Sequence, residues 1–320
     1  MRIVVTGGGG YIGARLSVFL ANNGHDVIPV CFPKLPKDQN WVSKMYRILR
    51  GDIRDEKTIN NILKCQPEAL IHLVSLDHYD SEKDPNQVAS TNVMPTWAIL
   101  EKVSKIGLKR FIYFSTIHVY GNTLTGLITE GHLACPNNAY GLTHYLSEEI
   151  CNYYTRNKNI ECINVRLSNS YGEPIFKDAN CWDLVINDLC LNAFKSKKII
   201  LKGDGSPLRD FVHYETICQY ISVLLECDIH AGHNTINISS GISVSMLQVA
   251  EVVRSVFQKR YNRPIDIFLN KNKRYYGDTL SKNQSLIISN ELLKSINTYR
   301  QIPLEIGIEK IFTYLDTNSK

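Results

Sequence analysis

Thr6-Gly7-Gly8-Gly9-Gly10-Tyr11-Ile12-Gly13 follows the apolar run Ile3-Val4-Val5 and leads into Ala14-Arg15-Leu16-Ser17-Val18-Phe19-Leu20. A β-branched apolar run, a glycine-rich turn and then helical apolar spacing describe a buried strand that passes through a tight loop into a helix. Such a junction makes a seat for a pyrophosphate, because backbone N–H groups at the helix start and the helix dipole both attract anionic oxygens. The glycines have separate jobs. Gly7 allows the tight turn, Gly10 keeps a Cβ out of the ligand's way, and Gly13 lets the helix lie close to the strand.

Downstream, Val27-Ile28-Pro29-Val30 reads as a second strand, weakened by Pro29. At the end of such a strand a dinucleotide site selects its cofactor: an acidic residue takes the ribose 2′-hydroxyl of NAD, and basic residues take the 2′-phosphate of NADP. Cys31 holds that place here, with Lys34 and Lys37 after it. That weakens NAD and mildly favours NADP, and leaves the cofactor open between the two. A helical pattern through Ile59, Ile62 and Leu63, a strand at Ala69 to Val74, a helix from about Pro85 to Ile106 and a strand at Arg110 to Ser115 continue the alternation. Alternating strands and helices with short connections predict right-handed crossovers and a parallel sheet covered on both faces.

The expected fold is therefore α/β: a Rossmann-like, doubly wound parallel sheet over residues 1–170 with a return segment near 208–240, and a smaller C-terminal α/β lobe from 171–207 and 241–320. In that lobe residues 243–260 predict an amphipathic helix capped by Ser243, with Leu247, Ala250, Val253 and Phe257 on one face. The tail from Asp316 to Lys320 is expected to fray.

Composition narrows the class of function. A chain of 320 residues with 44% hydrophobic and 21% charged residues can bury a sizeable core without disulfides or metal. Its formal charge of +5 is mildly basic, but no Lys/Arg block or basic-aromatic interleaving tracks a nucleic-acid backbone. Small anionic ligands fit better. Nine cysteines without a C-x-x-C pair suit reduced thiols in a cytoplasm. No apolar run approaches the ~18 residues of a membrane span, and Met1-Arg2 leads directly into the first strand without room for a signal peptide, so a cytoplasmic protein is expected. His230 and His233 have no acidic or cysteine partner at ligand spacing, and no metal is expected there.

Further ordered motifs carry a resemblance. They are Gly51-Asp52-Ile53-Arg54-Asp55, His72-Leu73-Val74-Ser75, Thr91-Asn92-Val93, Ser115-Thr116-Ile117-His118-Val119-Tyr120-Gly121, Tyr140-Gly141-Leu142-Thr143-His144, Arg166-Leu167-Ser168-Asn169-Ser170-Tyr171-Gly172, Arg209-Asp210-Phe211-Val212-His213 and Asn237-Ile238-Ser239-Ser240-Gly241. Together with the glycine loop they make the chain resemble, over nearly its whole length, the extended short-chain dehydrogenases, within them the nucleotide-sugar epimerases and dehydratases. The resemblance implies a nucleotide-sugar substrate, an NAD(P) cofactor, a homodimer and hydride transfer at a sugar carbon, usually C4. It also implies that Gly7, Gly10, Tyr11, Ile12 and Gly13 hold the cofactor pyrophosphate and that Asp52 and Ile53 meet the adenine. By the same likeness Leu73, Ser75 and Asn92 line the cofactor groove, and Asn169 and Arg209 grip the sugar-nucleotide phosphates. Tyr140 stands where the family's acid/base tyrosine stands, and Thr116 where its hydroxyl-orienting Ser/Thr stands. A smaller nucleotide-sugar-binding lobe follows from the same likeness.

The departures are as informative. A phenol with a pKa near ~10 is a poor base at neutral pH, and family members lower it with a lysine four residues on, on the same helix face. His144 occupies that position. Histidine is shorter and has an ordinary pKa near ~6.5, so three readings follow: His144 still binds the cofactor ribose beside Tyr140 and partly activates it, another base is used, or the chain is a catalytically silent nucleotide-binding protein. Where dehydratases of the family carry an Asp-Glu pair after the threonine, this chain has Ile117 and His118, which disfavours 4,6-dehydration and leaves His118 either a second acid/base contacting the sugar or a hydrogen-bonded structural group of the turn. A later Arg-Pro-Gly-Asp motif of the family is replaced by Tyr275-Tyr276-Gly277-Asp278, with Arg274 one position early.

Overall fold

The structure is a computed structural model, and it describes residues 1–121, 125–158, 160–227, 234–270, 285–297 and 301–318. In chain order these form β1 (Arg2–Thr6), α1 (Tyr11–Asn22), β2 (Asp26–Cys31), α2 (Gln39–Val42), β3 (Leu49–Arg50), α3 (Glu56–Lys64), β4 (Ala69–His72), α4 (Pro85–Val88), α5 (Met94–Val103) and β5 (Arg110–Thr116). Next come β6 (Gly126–Ile128), α6 (Ala139–Lys158), β7 (Glu161–Leu167), β8 (Asn169–Tyr171), α7 (Val185–Ser196), β9 (Ile199–Lys202), β10 (Leu208–His213) and α8 (Tyr214–Glu226). The chain ends with β11 (Thr235–Ile238), β12 (Ser243–Ser245), α9 (Met246–Tyr261), β13 (Ile267–Asn270), β14 (Leu286–Ile288), α10 (Glu291–Ile296) and α11 (Leu304–Asn318). Two compact units divide the chain: Met1–Gly121 with Glu130–Leu167 and Cys218–Asn237, and Asn122–Thr129 with Ser168–Ile217 and Ile238–Lys320.

The first unit is built on a seven-stranded sheet in the order β11-β7-β5-β4-β1-β2-β3, as the alternating pattern predicts. Parallel pairing joins β7, β5, β4, β1, β2 and β3 in that order. The chain starts at β1, moves outward through β2 and β3, then crosses back to β4, so strand order reverses between β1 and β4. Ligands of open α/β sheets bind at the carboxyl ends of strands beside such a reversal. Thr6, His72 and Thr116 end β1, β4 and β5 there.

Pro29 lies inside β2 rather than at its end, opposite Val5 of β1. Its tolerance has a simple cause. The carbonyls of Val27 and Cys31 accept from Tyr46 and Gly51 on the outer side, whereas the Val30 carbonyl accepts from Gly8 on the inner side. Pro29 shares the outward orientation of Val27 and Cys31, and β3 pairs only with Val30 and Cys31, so the missing N–H removes no bond to β1. The helix expected from Pro85 to Ile106 is interrupted. A π-helical turn at Ala89–Val93 separates α4 from α5, with Pro95 in the first turn of α5.

The second unit holds a three-stranded sheet β12-β10-β8 and the two-stranded pairs β13-β9 and β14-β6. Ile186, Leu189, Val249, Val253, Phe257, Ile308 and Phe312 form its core, where α7, α9 and α11 meet. Three sequence-based expectations change here. The cap of α9 is Ser245, not Ser243: its hydroxyl accepts from the Gln248 N–H while the Gln248 side chain accepts from the Ser245 N–H, a reciprocal capping box that leaves Ser243 in β12. Leu247 is exposed, and Met246, Val249 and Val256 join the buried face in its place. Asp316 does not fray, since α11 continues to Asn318 and its carboxylate accepts from Arg260 and Tyr261. The returning segment is also narrower than 208–240. β10 pairs with β8 and β12 of the second unit, and only Cys218–Asn237 returns to the first.

No helix among the described residues is long and apolar enough to cross a membrane. His230 and His233 lie outside the described residues, and among those described no group of three or more His, Cys, Asp or Glu side chains could hold a metal ion.

A Cβ on Gly13 would stand 2.2 Å from the Gly7 carbonyl oxygen, so α1 sits against the turn at a distance only glycine permits. Alanine in a helix interior gains about 1 kcal/mol in propensity over glycine, while overpacking against backbone costs ~1–3 kcal/mol. Gly13→Ala is therefore expected to lower the midpoint of urea unfolding. An unchanged midpoint would contradict the close packing.

Candidate active site

The glycine turn closes through a hydrogen bond from the Gly10 N–H to the Gly7 carbonyl at 2.9 Å, with Gly7 at φ +71°. α1 then opens on Gly10, which has no side chain to cap the first turn. A Cβ on Gly9 would lie 3.3 Å from Cys31 Sγ, which puts the buried thiol directly against the loop. Burial pushes that thiol up to about 12, so Cys31 presents an uncharged group at the end of β2, with Lys34 and Lys37 exposed beyond it. The turn, the helix start and the space that glycines keep open fit a dinucleotide pyrophosphate.

Asp52 and Ile53 follow β3. The Asp52 carboxylate accepts from the Arg54 guanidinium and from its backbone N–H, and these hydrogen bonds hold the carboxyl below its usual range. Ile53 is buried. Leu73 donates its N–H to Thr6 Oγ1 at 3.3 Å, and that hydroxyl also bonds His72 Nδ1 at 2.6 Å, tying the ends of β1 and β4 together. Asn92 is fully buried. Its side chain accepts from the Leu76 N–H at 2.8 Å and donates to Thr143 Oγ1 at 3.1 Å, so its amide braces the loop after β4 against α6.

Tyr140 and His144 stand one turn apart near the start of α6, their rings 4.5 Å apart at 68°. Two features fix this turn. A Cβ on Gly141 would meet the His118 carbonyl at 2.5 Å, so α6 lies directly on the 3₁₀ turn Ile117–Tyr120. Thr116, at the end of β5, caps that turn by accepting from the His118 N–H at 3.3 Å. The His118 turn thus meets Thr116 through its N–H and Tyr140 through its ring, 5.7 Å between centroids.

His144 is only 3% exposed. Its Nε2 bonds Ser75 Oγ at 3.1 Å, and its Nδ1 bonds the Tyr113 hydroxyl at 3.0 Å. Burial depresses its pKa to about 3, helped by the nearby His118 and His72 and opposed by the Phe114 backbone. His144 is therefore a neutral strut between the loop after β4, β5 and α6, and not the cation that the family's lysine supplies. His72 is likewise held down to about 4 by burial.

Two further residues were not found from the sequence. His78, in the loop after β4, turns its ring to Tyr140 at 6.4 Å and 78°, joining His118 at 5.7 Å and 75°. No spacing marks it; its only sign is a place in a loop at the carboxyl end of a strand. Glu148, two turns beyond Tyr140, is 1% exposed and accepts from the Arg166 guanidinium and the Ser115 hydroxyl. Its place in the stripe Tyr140, His144, Glu148 is visible as repeated steps of four.

In the second unit Asn169 and Arg209 lie together on β8 and β10. The Arg209 guanidinium donates to Asn169 Oδ1 at 3.4 Å, and the Asn169 amide donates to the Asp210 carbonyl at 2.8 Å. The Asp210 carboxylate accepts from both Ser168 and Ser240 hydroxyls and from the Ser240 and Ile242 N–H groups. Arg274 to Asp278 lie outside the described residues.

A profile of the NAD dependent epimerase/dehydratase family matches residues 3–239. The chain belongs to that family. Among its relatives, UDP-glucose 4-epimerase of Rhizobium meliloti is 24% identical over 275 residues, covering 82% of this chain and 83% of the relative. The dTDP-glucose 4,6-dehydratase of Escherichia coli is 29% identical over 243 residues, 67% of this chain and 66% of that protein. In structure, UDP-glucose 4-epimerase from Thermotoga maritima with UDP-glucose superposes with a TM-score of 0.85 at 22% identity over the whole of both chains. UDP-glucuronic acid 4-epimerase from Bacillus cereus, in complex with NAD, gives 0.79 at 23%, again over both whole chains. Both share the fold of this epimerase/dehydratase family member.

The buried histidines make stability depend on pH. Unfolded, each takes a proton near ~6.5; folded, His144 resists to about 3 and His72 to about 4. As pH falls from 6.5 toward 4 the unfolded state binds more protons, so each histidine removes up to ~1.4 kcal/mol of stability per pH unit. Urea titrations from pH 7 to 4.5 should give a smaller slope in His144→Gln than in the parent. Equal slopes would show that His144 ionises freely.

Proposed function

We propose that the chain is an NAD(P)-dependent nucleotide-sugar epimerase or 4-keto-sugar reductase/4-dehydrogenase acting at a sugar carbon, C4 by family precedent. The observation that carries this is the joining of Thr116, Tyr140 and His118 at the carboxyl end of β5, in the same unit as a glycine turn suited to a pyrophosphate. When bound, the nicotinamide accepts and returns hydrogen at the sugar carbon with two electrons. Tyr140 takes the proton of the sugar hydroxyl as that carbon is oxidised and gives it back on reduction. Thr116 Oγ1 orients the hydroxyl. His144 positions Tyr140 through the packing of the two rings and lies at the cofactor side with Ser75. Asn169 and Arg209 grip the nucleotide diphosphate, for which a guanidinium fork is suited. UDP-sugars are the first substrates to test, since the epimerase relatives are named for them. Direct comparison of NADH with NADPH decides the cofactor at the Cys31 position.

The uncharged state of His144 also supports a second reading, a protein that binds cofactor and nucleotide sugar without turnover. A panel of UDP-, GDP-, CDP- and dTDP-sugars with each cofactor separates the two. For the enzyme, Tyr140→Phe should lose ~10²–10⁴-fold in kcat while retaining NADH binding. Cofactor binding without conversion, unaffected by Tyr140→Phe, identifies the silent protein.

We also propose a homodimer through α5 and α6. Met94 and Trp97 on α5 and Leu142, Leu146 and Tyr153 on α6 are each about half exposed. On two neighbouring helices they make an apolar face suited to a four-helix contact with a second copy. Sedimentation should give a dimer for the parent and a monomer for Trp97→Glu with Leu146→Glu; a monomeric parent would contradict the interface.

A further inference from the structure

Cys31, the last residue of β2, is the register partner of Arg50, the last residue of β3, and the Gly51 N–H that follows donates to the Cys31 carbonyl at 3.2 Å. The pair before them, Val30 and Leu49, is buried in the core with Ile59 and Ile62 of α3. Successive side chains of a strand point to opposite faces, so Cys31 and Arg50 turn together to the other face. There the Cys31 thiol meets the glycine turn, 3.3 Å from where a Cβ on Gly9 would stand. We propose that Arg50 is the cofactor-selecting residue: its guanidinium grips the 2′-phosphate of an adenosine ribose seated beside Cys31, so that the chain takes NADP(H) in preference to NAD(H). The proposal rests on the reading of the glycine turn as a dinucleotide seat.

The group that decides between the two cofactors lies at the end of β2. An acidic residue there accepts from the 2′-hydroxyl of NAD and repels the 2′-phosphate of NADP. Cys31 does neither, being 1% exposed and uncharged. Arg50 beside it is exposed, and among the described residues no carboxylate pairs with it. The carboxylates closest to it in sequence act elsewhere. Asp52 accepts from the side chain and backbone of Arg54, Asp55 adds its charge to that same guanidinium, and Asp38 caps α2 by accepting from the Trp41 N–H. A guanidinium presents a planar fork of donors that matches phosphate oxygens, and in Arg50 that fork is open to solvent.

Charge along this edge has the same sign. Residues 31–55 carry Lys34, Lys37, Lys44, Arg47, Arg50 and Arg54 against Asp38, Asp52 and Asp55. The loop that bears Lys34 and Lys37 is drawn toward the glycine turn, since Pro36 Cγ stands 3.7 Å from the place of a Cβ on Gly9. Both lysines are exposed there and add to a positive potential that favours a ligand with one more phosphate.

Calorimetric titration of the full-length protein with NADPH and NADH, and with adenosine 2′,5′-bisphosphate and adenosine 5′-monophosphate, reads the 2′-phosphate without any turnover. NADPH should bind at least about tenfold more tightly than NADH, which one good charge-assisted contact is able to supply. The bisphosphate should exceed the monophosphate by a similar factor, and both gaps should narrow as salt is raised. Arg50→Gln should remove about tenfold from the NADPH affinity and leave that for NADH unchanged, while Arg50→Lys, which keeps the charge without the fork, should fall between. Because Arg50 is exposed, both variants should keep the parent's urea midpoint. Lys64→Gln removes the same charge beside Cys65, whose carbonyl meets Arg2 at the start of β1, and should change neither affinity. Equal affinities for the two cofactors, tighter NADH, or a preference for NADPH untouched by Arg50→Gln overturns the proposal, as does an equal loss of both cofactors in that variant. Binding of neither cofactor to the parent instead overturns the dinucleotide reading on which the proposal rests.

Discussion

The carboxylate of Glu148 holds the catalytic half of the first unit in register. It is almost completely buried, and on one atom pair or another it meets the Arg166 guanidinium of β7 and the Ser115 hydroxyl of β5 while belonging itself to α6. Burial works to lower the Arg166 pKa, but the Glu148 hydrogen bonds and charge raise it above the ordinary arginine value, so the pair stays ionic. Such a pair adds little over a well-packed apolar substitute, yet loss of one partner strands a charge at a cost of ~3–5 kcal/mol. Its contribution here is positional. With one oxygen shared between β5 and β7, the helix cannot rotate without exposing an unpaired charge, and the residues four and eight positions earlier, His144 and Tyr140, are set facing the end of β5.

The Arg166 plane also lies 4.6 Å from the Tyr120 ring centroid, and the Tyr120 hydroxyl donates to Asn237 Oδ1 at 2.7 Å. Tyr120 closes the 3₁₀ turn that begins beside Thr116. The turn is thus clamped at its far end by the ion pair and at its near end by Gly141, whose missing side chain admits the His118 carbonyl. Thr116, His118 and Tyr140 gain their geometry from packing and buried charge, without any direct bond among their reactive atoms being needed to hold them.

Sequence alone revealed much of this frame, and the reasons for the rest are physical. The glycine loop and the alternation of strands and helices are local signals whose meaning does not depend on distant partners, and the seven-stranded sheet follows from them. Ser243 and Ser245 are both plausible caps by composition; only the reciprocal bond with Gln248 distinguishes them. Phe211-Val212-His213 has strand character in any sheet, and periodicity carries no record of which sheet it joins. His78 is the clearest case. It acquires a relation to Tyr140 through the path of the loop after β4, braced by Asn92 against Leu76, and no spacing along the chain encodes that path.

The identity of residue 144 was plain from the start, but its electrostatic character was not, because charge depends on burial. A histidine in water is half charged near pH 6.5; one bonded to Ser75 and Tyr113 at 3% exposure is neutral. The same surroundings bear on lysine. An ammonium at this place would enter a pocket walled by a phenol whose own ionisation is suppressed by burial and by the uncharged His72. Its desolvation would have to be offset by bound ligand or by water, neither of which the Tyr113 and Ser75 hydroxyls replace in full. Histidine at 144 keeps the inner wall of this pocket neutral.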